Sequence, residues 1–369
     1  MERQNYELKD AYFACTTPYQ VIGAISITLC LGLEADLYIF GMFPHYEEVA
    51  KRLEKYKIFQ KVIPVDCSKI GAPGRVQGFL QMLFAHRMAS PFLPKNIAYK
   101  TYYSSSRAFP KTILHKVLLD RNSDMTRVVY EDGLGTYAAN SHPLNATRMK
   151  LAAEKLLGWK LDIPERTSMM ANVPPLVEPP ESVGILPVTQ MPRLAFTEET
   201  RHMLLDIFSV GKDDEINEKC IIFDTLRPFK DLTDADYDEI DKCYSLITEY
   251  IGKTNVVCKP HPRSVERTNV EIELYKKQEL PMEVLYSGMS DIENRILVSY
   301  TSTAIFTPVI LFDKEPIVIS LHRILSHTRS SEIFEPIFEK FKRIYKNPER
   351  VVAPATKEQL MSFLSMIEL

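Results

Sequence analysis

Asn255-Val256-Val257-Cys258-Lys259-Pro260-His261-Pro262-Arg263 is a short apolar run that stops at a proline and passes into a basic, histidine-bearing loop. Paired valines favour a strand. Pro260 lacks the N–H a sheet ladder needs, so the strand ends there. Two other stretches share this pattern. Arg127-Val128-Val129-Tyr130 runs into Glu131-Asp132-Gly133, and residues 295–299, apolar at 296–298, run into Thr301-Ser302-Thr303. Apolar strands with polar, reactive side chains at their carboxyl ends describe a parallel α/β sheet, where ligands bind beyond those ends.

Outward from these stretches, short apolar runs alternate with longer amphipathic ones, as crossover helices over a parallel sheet require. In the first half, strands are expected at residues 11–16, 36–40, 61–65, 101–104 and 127–130. Helices are expected at 18–31, 46–56, 77–88, 111–119 and 146–157. Pro18 stands at the first helical position, where proline is tolerated. Residues 160–192 carry Pro164, Pro174, Pro175, Pro179, Pro180, Pro187 and Pro192 and read as a stiff connector. Beyond it the alternation resumes. Strands are expected at 220–223, 255–258, 295–299 and 316–320. Helices are expected at 198–209, 234–250 and 304–311, with a largely helical tail from residue 331. The fold class is therefore α/β, with one domain over residues 1–185 and a second over 186–369.

A chain of 369 residues suits two such domains. Its 45% hydrophobic and 25% charged residues are those of a globular protein, and a net charge of −3 argues against general nucleic-acid binding. Cys15, Cys30, Cys67, Cys220, Cys243 and Cys258 are scattered, without a C-x-x-C pair, which suits free thiols in a reducing compartment. The start of the chain lacks the basic-then-apolar pattern of a signal peptide, and the apolar run 21–33 is too short to span a bilayer. A cytoplasmic protein is expected.

Glu131 and Asp132 are adjacent carboxylates before a glycine that permits a tight turn. Each raises the proton affinity of its neighbour, which suits one of them to general-base work, although an E-D-G tripeptide also serves as a solvated acidic turn. His261 is restrained by two prolines and flanked by Lys259 and Arg263, a set suited to a phosphate and to protonating a leaving oxyanion. Ser302 and Thr303 stand where a helix begins, and can cap it and present hydroxyls to a phosphate at once. Asp224, after Ile221-Ile222-Phe223, is a second-choice carboxylate. His322 and His327 lack a third ligand, so no metal site is assigned. Gly71-Ala72-Pro73-Gly74 reads as a turn, and no G-x-G-x-x-G or Walker sequence is present. Residues 334–345 mix aromatics with Lys340, Lys342 and Arg343. They suit either a helix packed on the body or contact with an anionic membrane face.

An acidic-acidic-glycine motif, then His-Pro, then Ser-Thr, in that order, resembles the bacterial lipooligosaccharide and capsular sialyltransferases, with the bacterial polysialyltransferases as relatives. Tyr12-Phe13-Ala14-Cys15-Thr16-Thr17-Pro18-Tyr19-Gln20 also resembles that family's first strand and turn. The resemblance implies a GT-B fold, two Rossmann-like domains facing across a cleft, with CMP-sialic acid as donor, inversion at the anomeric carbon and no metal. It implies Glu131 as base and Asp132 as its partner, with the roles exchangeable and Asp224 as an alternative base. His261 would assist departure of the CMP phosphate, held with Lys259, Pro262, Arg263, Ser302 and Thr303. A glycan acceptor, galactose-terminated, is expected, with no cofactor beyond the donor. Peripheral contact with the inner membrane face and a homo-oligomer are compatible with this reading. The other readings are a GT-B transferase or glycerophosphotransferase of capsule or teichoic-acid synthesis, and a non-catalytic nucleotide-sugar or glycan-binding module.

Overall fold

The computed structural model describes residues 6–70, 83–105, 108–133, 135–138, 156, 158, 166–178, 186–195, 197–262, 264–266 and 268–367. The chain divides into two compact units, Met1–Ala195 and Phe196–Leu369. Each is a Rossmann-like α/β unit around a wholly parallel sheet, the type of domain expected from the strand pattern.

In the first unit the strands are β1 (Glu7–Cys15), β2 (Ala35–Phe40), β3 (Lys61–Val65), β4 (Ile97–Ser104), β5 (Thr126–Tyr130), β6 (Thr167–Ala171) and β7 (Val188–Gln190). They lie in the order β3-β2-β1-β4-β5-β6-β7. Helix α1 (Pro18–Leu31) follows β1. Thr17 caps it by accepting from the Gln20 N–H, Pro18 opens it, and Gly32 at φ 62° ends it. Residues 20–28 of α1 are all buried, so this is a central helix without a wet face. Gly23 lets it approach the sheet, because a Cβ there would lie 2.8 Å from Met191 and 3.0 Å from the Tyr130 ring. Next come α2 (Tyr46–Tyr56), α3 (Cys67–Ile70), α4 (Ala85–Ala89) and α5 (Phe109–Arg121).

The second unit holds β8 (Cys220–Phe223), β9 (Val256–Lys259), β10 (Glu273–Leu274), β11 (Ile296–Ser299), β12 (Ile317–Ser320) and β13 (Val351–Val352), in the order β10-β9-β8-β11-β12-β13. β8, β9 and β11 are buried at every position, as strands covered on both faces must be. The helices are α6 (Glu198–Ile207), α7 (Asp234–Ile251), α8 (Met282–Gly288), α9 (Thr307–Phe312), α10 (Arg329–Lys342) and α11 (Lys357–Leu364). In both sheets the order reverses beside the first strand, between β1 and β4 and between β8 and β11. Such reversal points are where doubly wound sheets open a crevice for ligands.

Three expectations need correction. The proline-rich stretch 160–192 is no mere connector, because it supplies β6 and β7. The described prolines fall beside the strands: Pro174 opens a single 3-10 turn, and the Pro187 carbonyl accepts from the Met169 N–H at 2.8 Å. With β7 in the first sheet, the units divide after Ala195, ten residues beyond the expected 185/186 boundary. The helical tail is interrupted by β13, and β10 was not expected; both have two residues, too few to show a period. The turn at 71–74 and the helix at 146–157 except residue 156 lie outside the described residues, as does the first half of the helix at 77–88. Phe334, Phe338 and Phe341 of α10 pack on Phe306, so its aromatic face belongs to the core rather than to a membrane. Among the described residues, no helix is long and apolar enough to cross a membrane.

Candidate active site

The two strand-end carboxylates after β5 have opposite surroundings. Glu131 continues the sheet, its N–H donating to the Met170 carbonyl at 2.9 Å, and is 0% exposed. Its carboxylate accepts from the hydroxyls of Tyr19 and Tyr137 and, at 2.7 Å, from the Asn172 N–H. Burial raises its pKa above the usual value, and these donors act against that rise. Glu131 thereby ties the ends of β5 and β6 to the first turn of α1.

Asp132 is only partly buried. Its N–H donates to Thr136 Oγ1 at 3.0 Å, and its Oδ1 accepts from Gln20 Nε2 at 2.8 Å. Gly133 follows at φ 69°, the left-handed conformation that turns the chain away from the strand. Burial raises the Asp132 pKa, opposed by the positive charge of Lys111 and by hydrogen bonds from Gln20 and Thr17. A carboxylate with raised proton affinity and partial access to solvent can accept a proton from a substrate hydroxyl. Lys111, on α5, is 1% exposed and donates to Gln20 Oε1 at 2.9 Å.

In the second unit, β9, β8 and β11 are neighbours, so Asp224, His261 and Ser302 lie beyond the carboxyl ends of adjacent strands. Their environments differ. Asp224 is buried, and its oxygens accept from the Thr225 N–H at 2.8 Å, the Thr268 N–H at 3.2 Å and the Arg227 guanidinium at 3.4 Å. Arg227 in turn donates to Asp241 at 2.5 Å and covers the Tyr237 ring at 4.6 Å. Asp241 accepts from Thr268 Oγ1 at 2.7 Å and the Asn269 N–H at 3.2 Å. The Arg227 backbone accepts from the Val265 N–H at 3.0 Å and donates to Ser264 Oγ at 3.1 Å. The Asp224–Arg227–Asp241 cluster is thus a clamp on the loop that follows His261. A carboxylate so fully engaged is poorly placed to act as a base.

His261 is half-buried, its carbonyl accepting from the Ser264 N–H at 2.9 Å. Pro262 is exposed, and Arg263 lies outside the described residues. Lys259 turns inward: 4% exposed, it donates to the Gln278 carbonyl at 2.8 Å and sits 5.1 Å from the centre of the Tyr275 ring. Burial pulls its pKa down to about 8. Ser302 caps the turn Thr303–Phe306 by accepting from the Ala304 N–H at 3.3 Å, and its own N–H donates to Ser299 Oγ at 2.6 Å. Thr303 is exposed. Cavities of about 620 and 650 Å³ in this unit are lined by residues such as Asp214, Glu218 and Arg295. Neither lining includes His261 or Ser302.

Sequence reasoning missed Lys111, Tyr137 and Asn172, and gave Tyr19 and Gln20 no role. One signal for Lys111 was available. It shares an i, i+3, i+7 stripe with Leu114 and Leu118, so it is a charge on a helix face that is otherwise buried. No comparable signal marked Asn172, which reaches Glu131 only because β5 and β6 pair.

No curated protein matches the chain. Among solved structures, UDP-N-acetylglucosamine 2-epimerase from Rickettsia bellii is similar at 12% identity and a TM-score of 0.44, over 98% of this chain and 88% of that one. The model of the family Alpha-2,8-polysialyltransferase (POLYST) matches residues 86–320, a stretch that contains the acid pair, His261 and Ser302. The chain therefore belongs to the alpha-2,8-polysialyltransferase family and is a sialyltransferase, a glycosyltransferase that moves sialic acid onto a glycan.

Proposed function

We propose that the chain transfers sialic acid from CMP-sialic acid to a hydroxyl of a sialylated glycan, with inversion at the anomeric carbon and Asp132 as the general base. The observation that carries this reading is the contrast between the two acids: Glu131 is sealed and held by three donors, while Asp132 is partly accessible. The acceptor oxygen attacks the anomeric carbon as its proton passes to Asp132. The bond from that carbon to the CMP phosphate oxygen breaks, and its electron pair leaves with CMP. His261 protonates or hydrogen-bonds the departing phosphate, and the hydroxyls of Ser302 and Thr303 hold it. With those donors in place the leaving group needs no metal. The family description favours the 8-hydroxyl of a terminal sialic acid over the galactose terminus expected from the motifs. Six cysteines outside any disulfide suit a reaction in the cytoplasm.

CMP release from CMP-sialic acid tests the proposal, with an α-2,8-linked oligosialic acid and a galactose-terminated oligosaccharide as parallel acceptors. Wild-type protein should release CMP faster with the first. His261→Ala should lower turnover by about 10²–10⁴-fold, the usual scale of a lost general acid. Thermal protection by CDP-glycerol with none by CMP overturns the donor assignment, and unchanged turnover in His261→Ala overturns the role of the histidine.

A further inference from the structure

We infer that Lys111 and Gln20 are positioning residues for the transfer step: acting through the Gln20 amide, Lys111 holds Asp132 in its ionised, proton-accepting form. The inference rests on Asp132 as the base and assigns work to two residues outside the motif.

The orientation of the Gln20 amide is set by its neighbours. Gln20 Oε1 accepts from the Thr16 N–H at 2.8 Å, from Thr16 Oγ1 at 3.2 Å and from Lys111 Nζ at 2.9 Å. The Thr16 N–H belongs to the backbone and the lysine has only protons to offer, so the amide oxygen must face them. Gln20 Nε2 is thereby directed at Asp132 Oδ1, 2.8 Å away. A donor fixed on a carboxylate favours its ionised form.

The lysine is not explained by packing. It is buried on a helix face shared with Leu114 and Leu118, where an apolar side chain would avoid the cost of desolvating a charge. Burial pulls the Lys111 ammonium down to about 8, and the Asp132 carboxylate opposes that fall more than any other group. Cys15 of β1 also favours the ammonium, and Arg127 of β5 disfavours it. The Cys15 thiol meets the Tyr130 hydroxyl at 3.2 Å and is raised to about 12 by burial, so at neutral pH it is uncharged. Glu131 is directed towards Tyr19, Tyr137 and Asn172. Asp132 is the acid that acts most strongly on the Lys111 ammonium.

The sign of the effect follows. Lys111 and Gln20 lower the Asp132 pKa against the rise caused by burial, so removing either raises it. The test is turnover against pH, with CMP-sialic acid and an oligosialic acid acceptor, for wild type, Lys111→Met, Gln20→Glu and Asp132→Asn. In Lys111→Met the acidic limb of the profile should move up by about one to two pH units, the shift expected from a nearby opposite charge. Activity should then fall by roughly 10–100-fold on the acid side and recover on the alkaline side, a recovery that a merely structural lesion would not show. Gln20→Glu, nearly isosteric, replaces the donor by an acceptor and should move the limb the same way. It carries the test alone if Lys111→Met does not fold. If Asp132→Asn keeps the wild-type rate, the base assignment falls and this inference with it. If Asp132→Asn is inactive while the folded variants of Lys111 and Gln20 keep the wild-type limb, the inference is overturned and the base assignment stands.

Discussion

Exchanging each strand-end acid for its amide tests the proposal that Glu131 holds the fold while Asp132 does the chemistry. In Glu131→Gln three donors still converge on the side chain, but only one of its two terminal atoms can accept. The tyrosine hydroxyls can rotate to accept from the new amide; the Asn172 N–H cannot, and it meets Oε2 at 2.7 Å. One unmet or distorted buried hydrogen bond costs about 1–3 kcal/mol. For a unit of this size that lowers Tm by roughly 3–10 °C. Turnover measured below the transition should stay within about threefold of wild type, because Glu131 is 0% exposed and its carboxylate is engaged by three donors. Asp132→Asn differs in activity. Asn Oδ1 can still accept from Gln20 Nε2, so the turn before Gly133 is kept, but the buried Lys111 ammonium loses its counter-charge and Tm should fall as well. Loss of the proton acceptor should lower turnover by about 10²–10⁴-fold. The assay pairs CMP release at saturating CMP-sialic acid with thermal unfolding on the same preparations. The reasoning is refuted if Glu131→Gln unfolds like wild type yet loses more activity than Asp132→Asn.

Two further predictions concern the second unit. Asp241→Asn breaks a buried ion pair and weakens the anchor of Thr268 and Asn269, so stability should fall by about 3–5 kcal/mol and the half-saturating CMP-sialic acid concentration should rise about tenfold; an unchanged Tm in a folded, active variant argues against the clamp on the His261 loop. Glu335, bonded by Arg323 and by His322, has its pKa lowered to about 2. A carboxylate depressed in this way contributes stability that is full above pH 4.5 and lost as pH falls towards 2. Its side chain is 39% exposed, so solvent screening limits the contribution to about 1 kcal/mol. Denaturant titrations of wild type and Glu335→Gln should therefore differ at pH 7 and converge as pH falls to about 2, and a difference that persists there removes Glu335 as its source.

Some of this was legible in sequence because it is local. The strand after Asn255 ends at Pro260 by the chemistry of proline, and the strand after Thr126 turns at Gly133 because glycine enters the left-handed region freely. Apolar runs of strand length between amphipathic helices require a parallel sheet, and both units have one. The proline-rich stretch was misread because β6 and β7 have weak patterns of their own and are completed by the strands beside them. The same limit applied to Lys259, which reads as a phosphate ligand next to His261 and turns instead to the Gln278 carbonyl.

The sequence by itself determined the alternation of strands and helices and the strand-end placement of Glu131-Asp132, His261 and Ser302, because spacing, β-branching and proline act over a few residues. Tertiary structure alone decided which acid is sealed and which is accessible. Tyr19 reaches Glu131, and Gln20 carries Lys111 to Asp132, only once α1 and α5 pack on the sheet. Burial and hydrogen bonding set the proton affinity of a carboxylate, and both depend on residues up to 112 positions away in the chain.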